Sequence, residues 1–78
     1  MIYTAYIEKD AESGQLIGIV PGLPGAHTCA ASLDELNVRL REVVSLCLEE
    51  MNDEDIKGLP VFAGISQIEV AYEQVDAH

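Results

Sequence analysis

The sequence predicts an α+β fold in two layers, with the element order β-β-β-α-β and one helix packed on one face of the sheet. Three patterns support this prediction. Short strand-forming segments separated by turn residues open the chain, a long segment with helical periodicity follows, and a segment of alternating polarity comes last. At 78 residues the chain is expected to form a single domain, residues 1–78.

The first three strands are predicted from β-branched and aromatic residues and from the turns between them. Residues 2–8 form the first predicted strand, and turn-forming residues return the chain to a second strand, residues 16–20. A loop with two prolines and two glycines, residues 21–25, ends that strand because proline fixes φ and glycine tolerates positive φ. Residues 27–31 are then expected to form a short third strand.

The helix is predicted to begin at Leu33, because Ser32 and Glu35 have the spacing of a capping box. Apolar residues then recur at intervals of three and four as far as Met51, which places them on one face of a helix. They are Leu33, Leu36, Leu40, Val43, Val44, Cys47 and Met51. Val38 and Leu48 fall outside this stripe, and we expect them to contribute to an oligomer contact.

The last predicted element is a half-buried fourth strand. Residues 52–60 carry several acids, a glycine and a proline, which are expected to end the helix. Residues 65–73 then alternate, with Ile68, Val70 and Tyr72 on one side and polar or small residues on the other. The helix is expected to cover one face of the resulting sheet and to leave a polar face exposed.

The charge balance limits the classes of partner. Fourteen acidic and four basic residues give a net charge of −10, which disfavours binding to nucleic acid and favours a basic protein partner. The acidity could instead serve solubility alone. The sequence has neither a basic leader nor an apolar run near the roughly 20 residues of a membrane span, so we expect a cytoplasmic protein.

The sequence predicts no catalytic site, metal site or cofactor. His27 and Cys29 can share one face of a strand, but they lack a third residue to orient them, so a structural pair is favoured over a nucleophile. Cys29 and Cys47 are too far apart for a C-x-x-C motif and are expected to be reduced thiols. His27, Cys29 and His78 do not have the spacing of zinc ligands.

The proline-glycine loop and the helix start together resemble the HicB family of antitoxins, and the resemblance spans nearly the whole chain. The residues that match are Pro21, Leu23, Pro24, Gly25, Ser32 and Glu35, followed by Arg41-Glu42-Val43. The resemblance implies a partial RNase H-like fold without catalytic carboxylates, and homodimers or larger assemblies. It also implies neutralisation of a small basic toxin, a HicA-like ribonuclease that cleaves mRNA. Many HicB antitoxins continue into a DNA-binding module that these 78 residues lack, so we expect no operator binding by this chain.

The expected function is therefore that of a non-catalytic binding module, whose acidic surface covers the RNA-binding surface of the toxin. The candidate contacts are Glu42 and Glu49 on the helix and Glu69 and Glu73 on the last strand. One alternative is a homo-oligomeric domain of the same fold that has no toxin partner. A third and less favoured alternative is an enzyme that depends on His27 or Cys29.

Overall fold

A computed structural model describes residues 1–72, so Glu73 and His78 lie outside the described residues. Within this range the chain forms three β-strands followed by two α-helices. They are β1 (Tyr6–Lys9), β2 (Leu16–Ile19), β3 (His27–Ala30), α1 (Leu33–Glu49) and α2 (Asp53–Lys57). The α+β class is confirmed, and so are one long helix and three strands before it. Each strand is shorter than the sequence predicts.

The three strands form an antiparallel sheet in the order β1-β2-β3. The turn between β1 and β2 is closed by Asp10, whose carboxylate accepts hydrogen bonds from the backbone N–H of Ser13 at 2.8 Å and from its hydroxyl at 2.7 Å. These bonds stabilise the charged carboxylate and lower the pKa of Asp10 below its ordinary value of 3.8. The turn thereby sets a register in which Ile7 lies opposite Gly18.

The start of α1 differs in one detail from the predicted capping box. Ser32 accepts a hydrogen bond from the backbone N–H of Glu35 at 3.2 Å, as expected for a helix N-cap. The carboxylate of Glu35 instead pairs with Arg39 one turn along the helix. Arg39 also donates a hydrogen bond of 2.7 Å to the backbone carbonyl of Cys29. Glu35 is therefore used to hold a side chain that ties α1 to β3.

The complete capping box lies at α2, where the sequence predicted only a break in the helix. Asn52 accepts from the N–H of Asp55 at 2.8 Å, and Asp55 accepts from the N–H of Asn52 at 3.3 Å. The two reciprocal bonds satisfy donors that a helix start would otherwise leave unpaired. This start supports one short helix that ends at Gly58.

The core lies between the sheet and α1. Its fully buried members come from the end of β2, the following loop, β3 and α1. They are Val20, Leu23, Ala26, Ala30, Leu36 and Leu40. Helix α1 packs mainly on β3 and β2. The close approach requires Gly18, because a Cβ there would lie only 2.8 Å from Cδ1 of Leu40.

The predicted half-buried fourth strand is wrong for residues 65–72 of the single chain. These residues form no strand, and Ile68, Val70 and Tyr72 are 76%, 71% and 82% exposed. The alternating pattern predicts which side chains a strand would bury. Their burial also requires a neighbouring strand, which the pattern does not identify. The last residue of the predicted strand, Glu73, lies outside the described residues.

Candidate functional site

The loop that resembles HicB antitoxins, residues 21–25, has a structural role. Leu23 is only 4% exposed and lies in the core, whereas Pro21, Pro24 and Gly25 lie on the surface. The loop is held by its own backbone: the N–H of Val20 donates to the carbonyl of Ala26 at 2.9 Å, and that of Ala26 donates to Leu23 at 3.1 Å. Its geometry positions β3 and α1 and presents no catalytic group.

The two helical candidate residues lie together on the side of α1 that faces away from the core. Glu42 and Glu49 are exposed, and the intervals of a helix place them on one stripe with Val38 and Leu46. Val38 is 51% exposed and Leu46 is 61% exposed. We call these four residues the α1 outer face. It combines two exposed apolar side chains with two carboxylates.

The apolar contribution to this surface differs from the sequence prediction. Val38 is exposed as expected, but Leu48 packs against the core. The second exposed residue is Leu46, two positions earlier. The signal was present in the sequence, since positions 38, 42, 46 and 49 fall within one third of a helical turn.

Glu69 and Glu73 are not part of the α1 outer face. Glu69 is exposed in residues 65–72, a segment separate from α1, and Glu73 lies outside the described residues. The structure therefore brings together only the helical pair of the four candidate acids.

The sheet face opposite α1 is uncovered and more apolar than predicted. The register aligns Tyr6, Ile19 and His27 across the three strands, and it aligns Glu8, Ile17 and Cys29 in the next row. We call these six residues the open sheet face. Tyr6 is 53% exposed and Ile19 is 38% exposed. The prediction of a polar face is wrong, because isoleucine occupies both outward positions of β2.

His27 and Cys29 share the open sheet face, as the spacing of two residues in a strand predicts. Within residues 1–72 neither side chain has a hydrogen-bond partner that would orient it. Cys29 and Cys47 are free thiols. The described residues hold no group of three or more His, Cys, Asp or Glu side chains arranged to bind a metal ion. None of the helices in residues 1–72 combines the length and apolar composition needed to cross a membrane.

Known relatives match most of this chain. A UPF0150 protein of Thermotoga maritima is 46% identical over 69 residues, which cover 88% of this chain and 89% of the relative. The chain belongs to the UPF0150 family. A UPF0150 protein of Archaeoglobus fulgidus is 45% identical over 71 residues, covering 90% of this chain and 96% of the relative. One from Synechocystis sp. is 39% identical over 64 residues, covering 82% and 87%.

No family model matches this UPF0150 chain, and no solved structure matches it. The names of the relatives state no activity. The functional argument therefore depends on the surfaces themselves. In this UPF0150 chain two surfaces stand out, the α1 outer face and the open sheet face.

Proposed function

We propose that this chain is an antitoxin-like binding module that neutralises a small basic, HicA-like toxin by covering its RNA-binding surface. The observation that carries the proposal is the α1 outer face, where Val38 and Leu46 are exposed beside Glu42 and Glu49. The similarity of the loop and helix start to HicB antitoxins supports the same function.

The chemistry of the α1 outer face suits a basic protein partner. Its apolar side chains face away from the core of this chain, so a partner is needed to remove them from water. Carboxylates at the rim of an apolar contact add specificity and speed association with a positively charged surface. The net charge of −10 extends that attraction beyond the contact itself.

The proposed mechanism is steric and electrostatic competition. A ribonuclease needs a basic surface to hold the phosphates of its RNA substrate. An acidic module bound to that surface excludes the RNA without any chemical step. The proposal accordingly includes a cytoplasmic location, a non-catalytic chain with no cofactor, a partial RNase H-like fold and a homodimer or larger assembly. Glu69 and Glu73 are secondary candidate contacts.

The test begins with capture of small basic proteins from the native host by the tagged chain at physiological salt. The captured protein must then cleave RNA, and addition of this chain must stop the cleavage. The decisive variant carries Glu42→Lys and Glu49→Lys. Its matched control carries Glu12→Lys and Glu54→Lys, which change the net charge equally at exposed positions away from the α1 outer face.

We expect the Glu42/Glu49 variant to lose inhibition and the control to keep most of it. Equal loss in both variants would mean that only net charge matters. Full inhibition by both would show that the α1 outer face is not the contact surface. Either result contradicts the proposed mode of binding.

A second candidate function is a homo-oligomeric domain without a toxin partner. The observation that favours it is the open sheet face, where Tyr6 and Ile19 are exposed on the side away from α1. Recovery of the chain alone in the capture experiment would favour this candidate over the antitoxin.

A further inference from the structure

Residues 65–72 extend away from the body of the protein. Their backbone N–H and carbonyl groups make no hydrogen bond to other described residues, and all eight residues are exposed. The radius of gyration is 16.4 Å, whereas a compact domain of this length has about 11 Å. Among the described residues, only the first member of the segment, Ile65, lies near the sheet, where it shares a pocket with Ala5 and Tyr6.

The same segment has the alternating sequence of a strand that pairs with another strand. Ile68, Val70 and Tyr72 lie on one side of the extended backbone, and Gln67, Glu69 and Ala71 lie on the other. Exposed side chains of this kind in a row, together with unpaired backbone groups, favour pairing with a sheet edge. In the single chain, the segment does not lie along the edge of a sheet.

The sheet offers such an edge at β1. The strand order leaves one side of β1 unpaired, and α1 packs mainly on the other two strands. Ile7 lies opposite Gly18 and therefore on the face of the sheet that α1 covers. It is nevertheless 39% exposed, because α1 does not extend over β1. A groove of about 570 Å³ lies between the first five residues and α1, and Ala5, Leu40 and Val44 line part of it.

A fourth strand beside β1 would fill this groove. Its apolar side chains would pack under the uncovered flank of α1, and its backbone would pair with the open edge of β1. Residues 65–72 have three apolar residues on one side, which matches one strand laid along that groove. The apolar side of the segment therefore matches the apolar part of the groove, and its backbone matches the unpaired edge of β1.

The segment does not occupy the groove of its own chain, since none of residues 65–72 lines it. Pro60 lies against the loop at Gly22, where a Cβ would come within 3.2 Å of the Cβ of Pro60. At Gly64 φ is 154°, a conformation that residues with a side chain rarely adopt, and the space around it is open. Residues 65–72 follow Gly64 and are all exposed, so another molecule can receive them.

We propose that residues 65–72 of one copy add as a fourth strand to the β1 edge of a second copy, which returns its own segment in the same way. Each copy has one donor segment and one acceptor edge, so a two-fold pair satisfies both at once. The dimer buries Ile68, Val70 and Tyr72 and completes the four-stranded sheet. This inference is independent of the proposed toxin.

The first test compares the same substitution on the two sides of the segment. Val70→Asp places a carboxylate in the groove, whereas Ala71→Asp places it on the opposite side with the same net charge. Losing a buried valine in each of two sites should raise the dissociation constant of the dimer at least about 100-fold. Light scattering should give the wild type and Ala71→Asp twice the 8.5 kDa of the chain, and Val70→Asp the mass of a monomer at low concentration.

A monomeric wild type, or equal masses for the two variants, would overturn the proposal. Circular dichroism checks that both variants remain folded. If Val70→Asp unfolds, the wild type still decides the question through nuclear Overhauser effects in an equal mixture of ¹³C-labelled and unlabelled protein. Contacts from Val70 to Ile7 or Val44 should appear between the labelled and unlabelled molecules. The same contacts confined to one molecule would show that the segment folds back on its own sheet.

Discussion

Gly18 is the position where a single added methyl group should test the packing of the helix on the sheet. In Gly18→Ala the new Cβ would lie 2.8 Å from Cδ1, 3.2 Å from Cδ2 and 3.3 Å from Cγ of Leu40. Three carbons of the Leu40 side chain are too close to the new Cβ, and Leu40 is only 6% exposed. Either the Leu40 side chain must change its rotamer or α1 must move away from β2.

The expected cost follows from two opposing effects. Overpacking a filled core costs about 1–3 kcal/mol. Replacing glycine by alanine also restricts the unfolded chain and returns about 0.4–1 kcal/mol. We therefore expect Gly18→Ala to lower the free energy of unfolding by about 1–2 kcal/mol.

Urea unfolding followed by circular dichroism, at one fixed protein concentration, measures this change. Gly58→Ala is the matched control, since φ at Gly58 is −84° and an added Cβ would meet its nearest neighbour at 3.5 Å. The control should stay close to wild type. A double variant with Leu40→Ala should be less destabilised than the sum of its single changes, because the smaller side chain makes room for the methyl group. Additive costs, or a Gly18→Ala protein as stable as the control, would refute the packing argument.

Three further predictions concern the contacts that hold the fold. Leu36→Ala should cost about 2–5 kcal/mol in urea unfolding, because Leu36 is fully buried; the exposed control Leu46→Ala should cost much less, and similar costs would contradict the assigned core. Glu35→Gln weakens only the half-exposed ion pair with Arg39, so it should change the free energy of unfolding by about 0–1 kcal/mol. Arg39→Met removes that ion pair and also the hydrogen bond to the Cys29 carbonyl, so it should lower the free energy of unfolding by more than Glu35→Gln does. The lowered pKa of Asp10 stabilises the fold above pH 3.8, and this stability is lost as the pH falls through the lowered pKa. Asp10→Asn should therefore flatten the acid side of the stability profile, and an unchanged profile would contradict the role of the turn.

Local signals in the sequence predicted the parts of the fold that depend on local contacts. Ser32 marked the start of α1, and the interval between apolar residues identified the buried face that contains Leu36 and Leu40. The loop at residues 21–25 was also predictable, since proline and glycine restrict the backbone directly. The second helix start, at Asn52, also has a residue type that favours the N-cap position.

The remaining features depend on contacts between distant parts of the chain, which local sequence patterns do not predict. The pattern in residues 65–72 is that of a strand, yet pairing requires contact with a sheet edge, and in the single chain these residues do not lie along one. Glu35 could serve either the helix start or an ion pair, and the position of Arg39 near β3 decided between them. Glu42 and Glu49 were predicted to be exposed. The helical interval places Leu46 on the same stripe, and the packing of α1 on the sheet shows that Leu46 is exposed as well.

The hydrogen bond from Arg39 to Cys29 has a consequence for aggregation. A sheet that is open at both ends can grow without limit, as one molecule after another adds to form a fibril. Here the end strand β3 carries a guanidinium group on one of its carbonyls, and an incoming strand would have to displace that charge. Growth is thus hindered at one end of the sheet and permitted at the other, which favours a closed pair of molecules over an insoluble filament.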